Sequence, residues 1–166
     1  MSEIKIRKAN PGDEKILAYI QTESWKAAFS DILSAEKLER CTNIEKAEEM
    51  YKWVLNNPDI HMLVESVDSK PHCIAAWSLN RNDLGEHVAE LVCIHSLCDN
   101  WKKGYGSIMM EHVLAEMKSA GYSEVILWVF EKNMRARMFY EKYGFSVTEQ
   151  KQEAVGETEI MYKKVL

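Results

Sequence analysis

The 166-residue sequence predicts one domain of the α/β (α+β) class, a mixed sheet flanked by helices. Residues 125–129 are apolar throughout, as in a buried central strand. Helical and strand-like patterns alternate along the chain, and no repeat or Pro/Gly/Ser linker divides it. The 46% hydrophobic and 28% charged residues are ordinary for a globular domain, so residues 1–166 are expected to share one core.

The first third of the chain predicts a strand followed by helices. Residues 4–7 alternate between apolar and basic side chains, which is typical of a strand. Asp13 follows an Asn-Pro-Gly turn and is predicted to cap a helix that begins near Glu14. Residues 33–55 are predicted to be further helix, ended by the Asn-Asn-Pro that follows.

The middle of the chain predicts three strands and a helix. Residues 61–67 and 73–79 are strand-like and are separated by a turn, which predicts a hairpin, and residues 88–97 form a third strand. After Gly106, one apolar stripe at helical spacing predicts a helix that Gly121 ends: Met110, Val113, Leu114 and Met117.

The last third continues with a helix and two strands. Asn133 is predicted to cap a helix that ends at Gly144. Its apolar stripe consists of Ala136, Phe139, Tyr140 and Tyr143. Residues 145–147 and 159–165 are the last two predicted strands, so residues 150–159 are expected to include a loop.

The segment 101–106, Trp-Lys-Lys-Gly-Tyr-Gly, has the features of an anion site. It follows a strand and opens a helix, whose N-terminal N–H groups attract phosphate. Gly104 and Gly106 allow close backbone approach, and Lys102 and Lys103 add positive charge. A dinucleotide fingerprint would need a third glycine where Met109 stands, and no P-loop is present. Taken alone, this motif is also consistent with an ordinary turn that binds no ligand.

The composition argues against several classes of partner. The net charge of −5 disfavours broad nucleic-acid binding, and no apolar run resembles a membrane span or a signal peptide. The four cysteines form no Cys-x-x-Cys pair, and the histidines show no metal-binding spacing. We therefore expect free thiols in a cytoplasmic protein with no metal, no nucleic acid and no membrane partner.

Residues 89–145 resemble the GNAT superfamily of N-acetyltransferases. Residues 89–96 resemble its fourth strand, and 101–106 its R/Q-x-x-G-x-G/A acetyl-CoA signature. Residues 127–133 and the Phe-Tyr-Glu-Lys-Tyr-Gly-Phe at 139–145 resemble the strand, asparagine and helix that follow. One departure is Trp101, where the family usually has Arg or Gln. The first half of the chain is only loosely similar.

The resemblance implies a mostly antiparallel sheet of about six to seven strands with about four helices, in which the fourth and fifth strands splay apart. It implies acetyl-CoA as a co-substrate, with its diphosphate on the segment that holds Trp101, Lys102, Lys103, Gly104, Tyr105 and Gly106. Pantetheine is expected to pair with the main chain of Cys93, Ile94 and His95, and Asn133 to contact the cofactor.

The resemblance also assigns chemistry to individual residues. Tyr140 is expected to be the general acid that protonates the thiolate, although its place on the apolar stripe also fits core packing. Glu90, a carboxylate in an apolar strand, is expected to be the general base, unless it faces solvent or pairs with a lysine. His95 is a weaker candidate for a proton relay, and Cys93 lacks an activating base for an acyl-enzyme.

The expected function is transfer of an acetyl group from acetyl-CoA to a primary amine of a small molecule or peptide. Trp25 and Phe29 are predicted to wall the acceptor groove, although both also fit a core. The alternative is a non-catalytic acyl-CoA-binding sensor or interaction module on the same fold, which needs the glycine loop but neither Glu90 nor Tyr140. Nucleotide binding by an unrelated fold is a third option, and the sequence leaves a homodimer open.

Overall fold

The computed structural model describes residues 1–166 and contains a seven-stranded sheet with five α-helices. In chain order the elements are β1 (Ile4–Lys8), α1 (Glu14–Ala28), α2 (Ala35–Cys41), α3 (Ile44–Leu55), β2 (His61–Val67), β3 (Lys70–Leu79), β4 (Val88–Ser96), α4 (Tyr105–Ser119), β5 (Glu124–Phe130), α5 (Met134–Lys142), β6 (Ser146–Ala154) and β7 (Glu157–Val165). No helix combines the length and the apolar character needed to cross a bilayer.

The sheet has the strand order β1-β2-β3-β4-β5-β7-β6, and only the β4–β5 pair is parallel. The predicted mixed, mostly antiparallel sheet is therefore confirmed. The parallel pair needs a crossover, which α4 supplies. The helices cover both faces of the sheet. On one face, α4 packs Met109, Met110, Val113 and Met117 into the larger cluster of the core; on the other, α1 packs Leu17 and Ile20 against strands β2 and β3.

Strands β4 and β5 pair over only three residues each, from Val88 to Glu90 on β4. A register shift in the β3–β4 ladder leaves Val92 without a partner on β3. Because a bulge of this kind bends its strand, the rest of β4 diverges from β5, as the family resemblance implied. The gap exposes backbone N–H and C=O groups of β4 on the side that faces β5.

The segment 33–55 is not one stretch of helix but two, which corrects the sequence prediction. Thr42 donates its hydroxyl hydrogen to the Leu38 carbonyl at 2.7 Å as α2 ends. Asn43 then caps α3 by accepting from the Lys46 N–H at 2.9 Å. Since Thr and Asn bond their own neighbouring backbone, they interrupt a helical pattern that the apolar residues alone would continue.

Two further predictions are wrong in detail. Asp13 stands before α1 but makes no side-chain cap; its carboxylate instead accepts from Arg7 at 2.7 Å. The guanidinium of Arg7 on the adjacent strand binds both carboxylate oxygens, and such a bidentate ion pair is stronger than a hydrogen bond from an uncharged helix N–H. Residues 150–159 are not mainly a loop: β6 and β7 extend through them, and the turn is confined to Val155 and Gly156.

Candidate active site

The gap between β4 and β5 opens into a cleft of about 780 Å³ that crosses the sheet. Its lining is mostly hydrophobic, with charges at its two ends. We call one end the loop end, which comprises Lys102, Gly104, Gly106, Ser107, Arg135 and Lys142. We call the other the aromatic end, which comprises Trp25, Phe29, Trp128, Phe130 and Glu159. Cys93, Ile94, His95 and Tyr140 lie between them.

The loop end presents the uncapped N-terminus of α4. Gly104 occupies the cap position with φ of +85°, a left-handed conformation that other residues adopt only with strain. The cap makes no side-chain hydrogen bond, and the first turn of α4 contains no acidic residue. The first N–H groups of this helix are therefore available to an anion, and the helix dipole favours negative charge there.

Trp101 and Arg135 join the glycine loop to helix α5. The Arg135 guanidinium carbon lies 3.6 Å from the centre of the Trp101 ring, and the Trp101 indole N–H donates to the Ser96 carbonyl at 2.9 Å. Trp101 thus anchors the loop to the end of β4 and holds a cation in place, since guanidinium groups stack favourably on indole. This arrangement places a guanidinium group beside the loop although residue 101 itself is a tryptophan.

Tyr140 lies in the middle of the cleft, half-buried, and its hydroxyl makes no hydrogen bond within the protein. Burial raises the pKa of this phenol well above its ordinary value, and the neighbouring Cys93 raises it further. The phenol therefore remains protonated at neutral pH and able to donate its hydrogen.

Cys93 and His95 are both uncharged at neutral pH. Burial raises the pKa of the Cys93 thiol to about 12, which leaves almost no thiolate. Burial lowers the pKa of His95 to about 4. The Trp25 indole N–H points to Nε2 of His95 at 3.5 Å, a long contact that favours the tautomer with its hydrogen on Nδ1.

Glu90 is 1% exposed and does not line the cleft. Its carboxylate accepts from the Arg81 side chain, including a bond of 3.0 Å from Nε, and from the Arg81 backbone N–H at 3.3 Å. Arg81 itself is 66% exposed, so the ion pair reaches the surface. The charge partner of Glu90 is therefore an arginine rather than the lysine considered from the sequence.

The aromatic end is a row of rings next to a single carboxylate. The Trp25 and Phe29 rings meet edge to face at 4.9 Å, and those of Phe29 and Phe130 at 5.0 Å. Phe130 on β5 stands directly opposite Glu159 on β7. Glu159 is half-buried and accepts from the Gln152 amide at 2.7 Å.

The cleft brings together most of the residues that the sequence singled out. Of these, Glu90, Lys103 and Tyr105 do not line it; the Tyr105 ring instead packs on His72 at 5.2 Å. Asn133 lines the cleft and also caps α5 by accepting from the Ala136 N–H at 3.2 Å, which confirms the predicted cap.

The lining residues that the sequence did not single out individually include Phe130, Arg135, Lys142 and Glu159. Arg135 and Lys142 flank the Phe139–Tyr140 pair on α5, and their spacing from Phe139, four and three residues, would have placed them near it. Glu159 ends the segment 150–159, which the family resemblance also implied to line the acceptor groove, and its place in the cleft depends on the register of β7 against β5.

Comparisons with known proteins agree with this geometry. The sequence model of the Acetyltransferase (GNAT) family matches residues 22–145. The uncharacterized N-acetyltransferase YuaI of Bacillus subtilis is 21% identical over 141 residues, which are 85% of this chain and 79% of that protein. The chain also superposes on two solved acetyltransferases along almost their whole length.

One of these is the PaiA N-acetyltransferase of Thermoplasma acidophilum in complex with coenzyme A, with a TM-score of 0.84, 24% identity and 99% of each chain covered. The other is an acetyltransferase of Thermus thermophilus, with a TM-score of 0.77, 16% identity and 98% and 97% of the two chains covered. Structures this distant in sequence support the fold, and the family match covers most of the chain. The protein belongs to the GNAT family of acetyltransferases.

Proposed function

We propose that the protein is an N-acetyltransferase that moves an acetyl group from acetyl-CoA directly to a primary amine of a small molecule or peptide. The observation that carries the proposal is the continuous cleft through the sheet, with cations and free N–H groups at one end and aromatic rings at the other. Such a cleft brings two different ligands together where β4 and β5 part.

The loop end fits the diphosphate of coenzyme A. The uncapped N-terminus of α4, Lys102 and Arg135 provide hydrogen-bond donors and positive charge on one side of the cleft. The exposed backbone of Cys93, Ile94 and His95 is suited to pair with the amide groups of pantetheine as an added strand would. The similarity to a structure that contains coenzyme A supports this placement.

Tyr140 is proposed as the general acid. Acetyl-CoA supplies a thioester: as the amine nitrogen bonds to the carbonyl carbon, the carbon–sulfur bond breaks and a thiolate leaves. A free thiol has a pKa of about 8.5, so a phenol that donates its hydrogen stabilises the leaving sulfur. The protonated, unpartnered hydroxyl of Tyr140 suits this role.

Glu90 is proposed as the general base, acting through water. It lies on the same face of the sheet as Trp128, because it pairs with Ile126, two residues earlier on β5. Its carboxylate does not line the cleft, so a proton from the amine reaches it only along a water chain, and Arg81 stabilises it before it takes that proton.

Direct transfer is favoured over an acyl-enzyme by the state of Cys93 at the centre of the cleft. Cys93 is a thiol with a pKa of about 12, and the adjacent His95, with a pKa of about 4, is a poor base. Neither group activates the other for nucleophilic attack.

An amine panel tests the proposal. Purified protein is mixed with acetyl-CoA and with alkyl, arylalkyl and peptide amines, and the released thiol is recorded. We expect thiol release that depends on the amine and a product whose mass is increased by one acetyl group. If acetyl-CoA binds by calorimetry but no amine releases thiol, the chain is the non-catalytic acyl-CoA-binding module instead.

A further inference from the structure

We propose that Glu159 is the specificity-determining residue of the acceptor site and selects an apolar amine with a single positive charge, of the arylalkylamine class. This inference rests on the proposed N-acetyltransferase function. It concerns the aromatic end of the cleft, where nothing in the comparisons identifies an acceptor.

Glu159 is the one acidic side chain that lines the cleft. The other charged lining groups, Lys102, Arg135 and Lys142, are cations and belong to the loop end. The charges of the cleft are therefore segregated, with a negative group where the acceptor is proposed to enter. A cationic ligand at that end gains a favourable charge interaction, and an anionic one meets repulsion.

No cation of the protein neutralises Glu159. Nearby carboxylates are paired: Glu131 with Lys151 at 2.9 Å and Glu157 with Lys132 at 3.2 Å. Glu159 takes part in no ion pair, and its one side-chain partner is the neutral amide of Gln152. A half-buried carboxylate with only an amide partner retains most of its capacity to bind an ammonium group.

The surroundings of Glu159 define the rest of the ligand. Directly opposed residues of antiparallel strands extend to the same side of the sheet, so Phe130 lies beside the Glu159 carboxylate. The Phe29 and Trp25 rings continue from Phe130. Aromatic faces and a carboxylate together favour an ammonium group attached to an apolar body.

The wider cleft limits the ligand to one charge. The rest of its lining, which includes Met62, Val54 and Ile60 in the same apolar cluster as Cys93, contains no further acidic side chain. A second ammonium group would lie against apolar side chains and lose its hydration without gaining a partner. A diamine is therefore expected to be a poorer acceptor than an arylalkylamine.

The test compares Glu159→Gln with the wild-type protein, using 2-phenylethylamine as the acceptor and 1,4-diaminobutane as the doubly charged comparison. We expect the wild-type KM to be lower for 2-phenylethylamine. Loss of a charge-assisted hydrogen bond should raise that KM about 10- to 100-fold in Glu159→Gln while kcat changes less than about threefold. Uncharged 2-phenylethanol, used as a competitive inhibitor, should bind both proteins equally.

The matched control is Glu153→Gln, which removes an exposed carboxylate from the same β6–β7 hairpin outside the cleft. It should leave both KM values unchanged. The inference is overturned if Glu159→Gln keeps the wild-type KM, if it weakens 2-phenylethanol as much as the amine, or if the wild type prefers the diamine.

Failure of the proposed function gives a different result. If the wild type turns over no amine, 2-phenylethylamine is titrated by calorimetry into the protein saturated with coenzyme A. If Glu159→Gln weakens this binding, Glu159 still selects the ligand, although the protein is not an enzyme. Absence of binding to the wild type, or binding that Glu159→Gln leaves unchanged, would overturn the assignment.

Discussion

The two ends of the cleft differ in how they are built and in the ligands that we propose for them. The loop end uses backbone N–H groups, a left-handed glycine and cations carried by neighbouring elements. The aromatic end uses side chains from α1, β5 and β7, with one carboxylate among rings. Backbone groups recognise a feature common to every coenzyme A ester, whereas side chains vary freely. Under the proposed function, the fold therefore determines the donor and a few replaceable residues determine the acceptor.

The largest effect is expected for Gly106→Asp at the loop end, which tests whether this end binds the diphosphate. A carboxylate in the first turn of α4 repels a diphosphate and occupies the space needed for it, so acetyl-CoA affinity should fall at least about 100-fold. Calorimetry measures the Kd. Gly106→Ala is the matched control, because an added Cβ would lie at an ordinary 3.7 Å from the Phe139 ring. Wild-type affinity in Gly106→Asp would place the diphosphate elsewhere.

Tyr140→Phe separates chemistry from donor binding. Removing the hydroxyl hydrogen should lower kcat about 100- to 1,000-fold while the Kd for acetyl-CoA changes less than about threefold. Thiol-release kinetics measure kcat, and calorimetry measures the Kd for acetyl-CoA. The control is Tyr143→Phe on the same helix, whose ring packs on Phe139 at 5.2 Å but does not line the cleft. An unchanged kcat in Tyr140→Phe would remove this residue from the mechanism.

Glu90→Gln tests whether the base lies outside the acceptor site. The isosteric amide cannot take up a proton, so we expect kcat to fall about 10- to 100-fold while the acceptor KM stays constant. Glu124→Gln is the control, because Glu124 is also an ion-paired strand carboxylate, 2.8 Å from Lys163, and does not line the cleft. If both variants match the wild type in kcat, Glu90 has only the structural role of holding Arg81.

The smallest expected effect concerns His95, which lies between the two ends. Its pKa is about 4 in the folded protein, against 6.5 when unperturbed. As pH falls below 6.5 the unfolded chain takes up a proton before the folded one does, so stability is lost down to about pH 4. Between about pH 7.5 and about pH 5 the loss should be about 2 kcal/mol.

Urea unfolding of the wild type and of His95→Gln at these two pH values measures the difference. The variant should lack this part of the acid destabilisation, while the contributions of the other histidines remain in both proteins. Equal losses of stability in the two proteins would mean that the pKa of His95 is the same in the folded and the unfolded chain.

The glycine loop of the loop end was predictable from the sequence because the loop, the strand before it and the helix after it are contiguous along the chain. Strand, glycine loop and helix occupy residues 88–119 without interruption, and the caps Gly121 and Asn133 mark the helix boundaries around them. Local patterns of this kind specify local structure directly. The same holds for the hairpin of β2 and β3: the predicted bounds of β2 match, and β3 begins at Lys70, before its predicted start at Cys73.

The aromatic end was only partly predictable because long-range pairing assembles it. Trp25 and Phe130 are about a hundred residues apart, and Glu159 reaches the cleft only through the register of β7. The extent of β6 and the ion pair between Glu90 and Arg81 likewise depend on tertiary contacts. Residues 150–159 appeared to be a loop because polar side chains dominate a strand whose faces are largely exposed.

The short ladder between β4 and β5 also affects how the molecule holds together. Strands β1 to β4 form one antiparallel block and β5 to β7 another, and their backbones are joined through three residue pairs. Packing against the helices must therefore provide the remaining contacts that hold the two blocks together. A ligand strand hydrogen-bonded within the gap would add to that adhesion and raise the free energy of unfolding by mass action. Occupancy by the proposed donor would thus make the two blocks more nearly one cooperative unit.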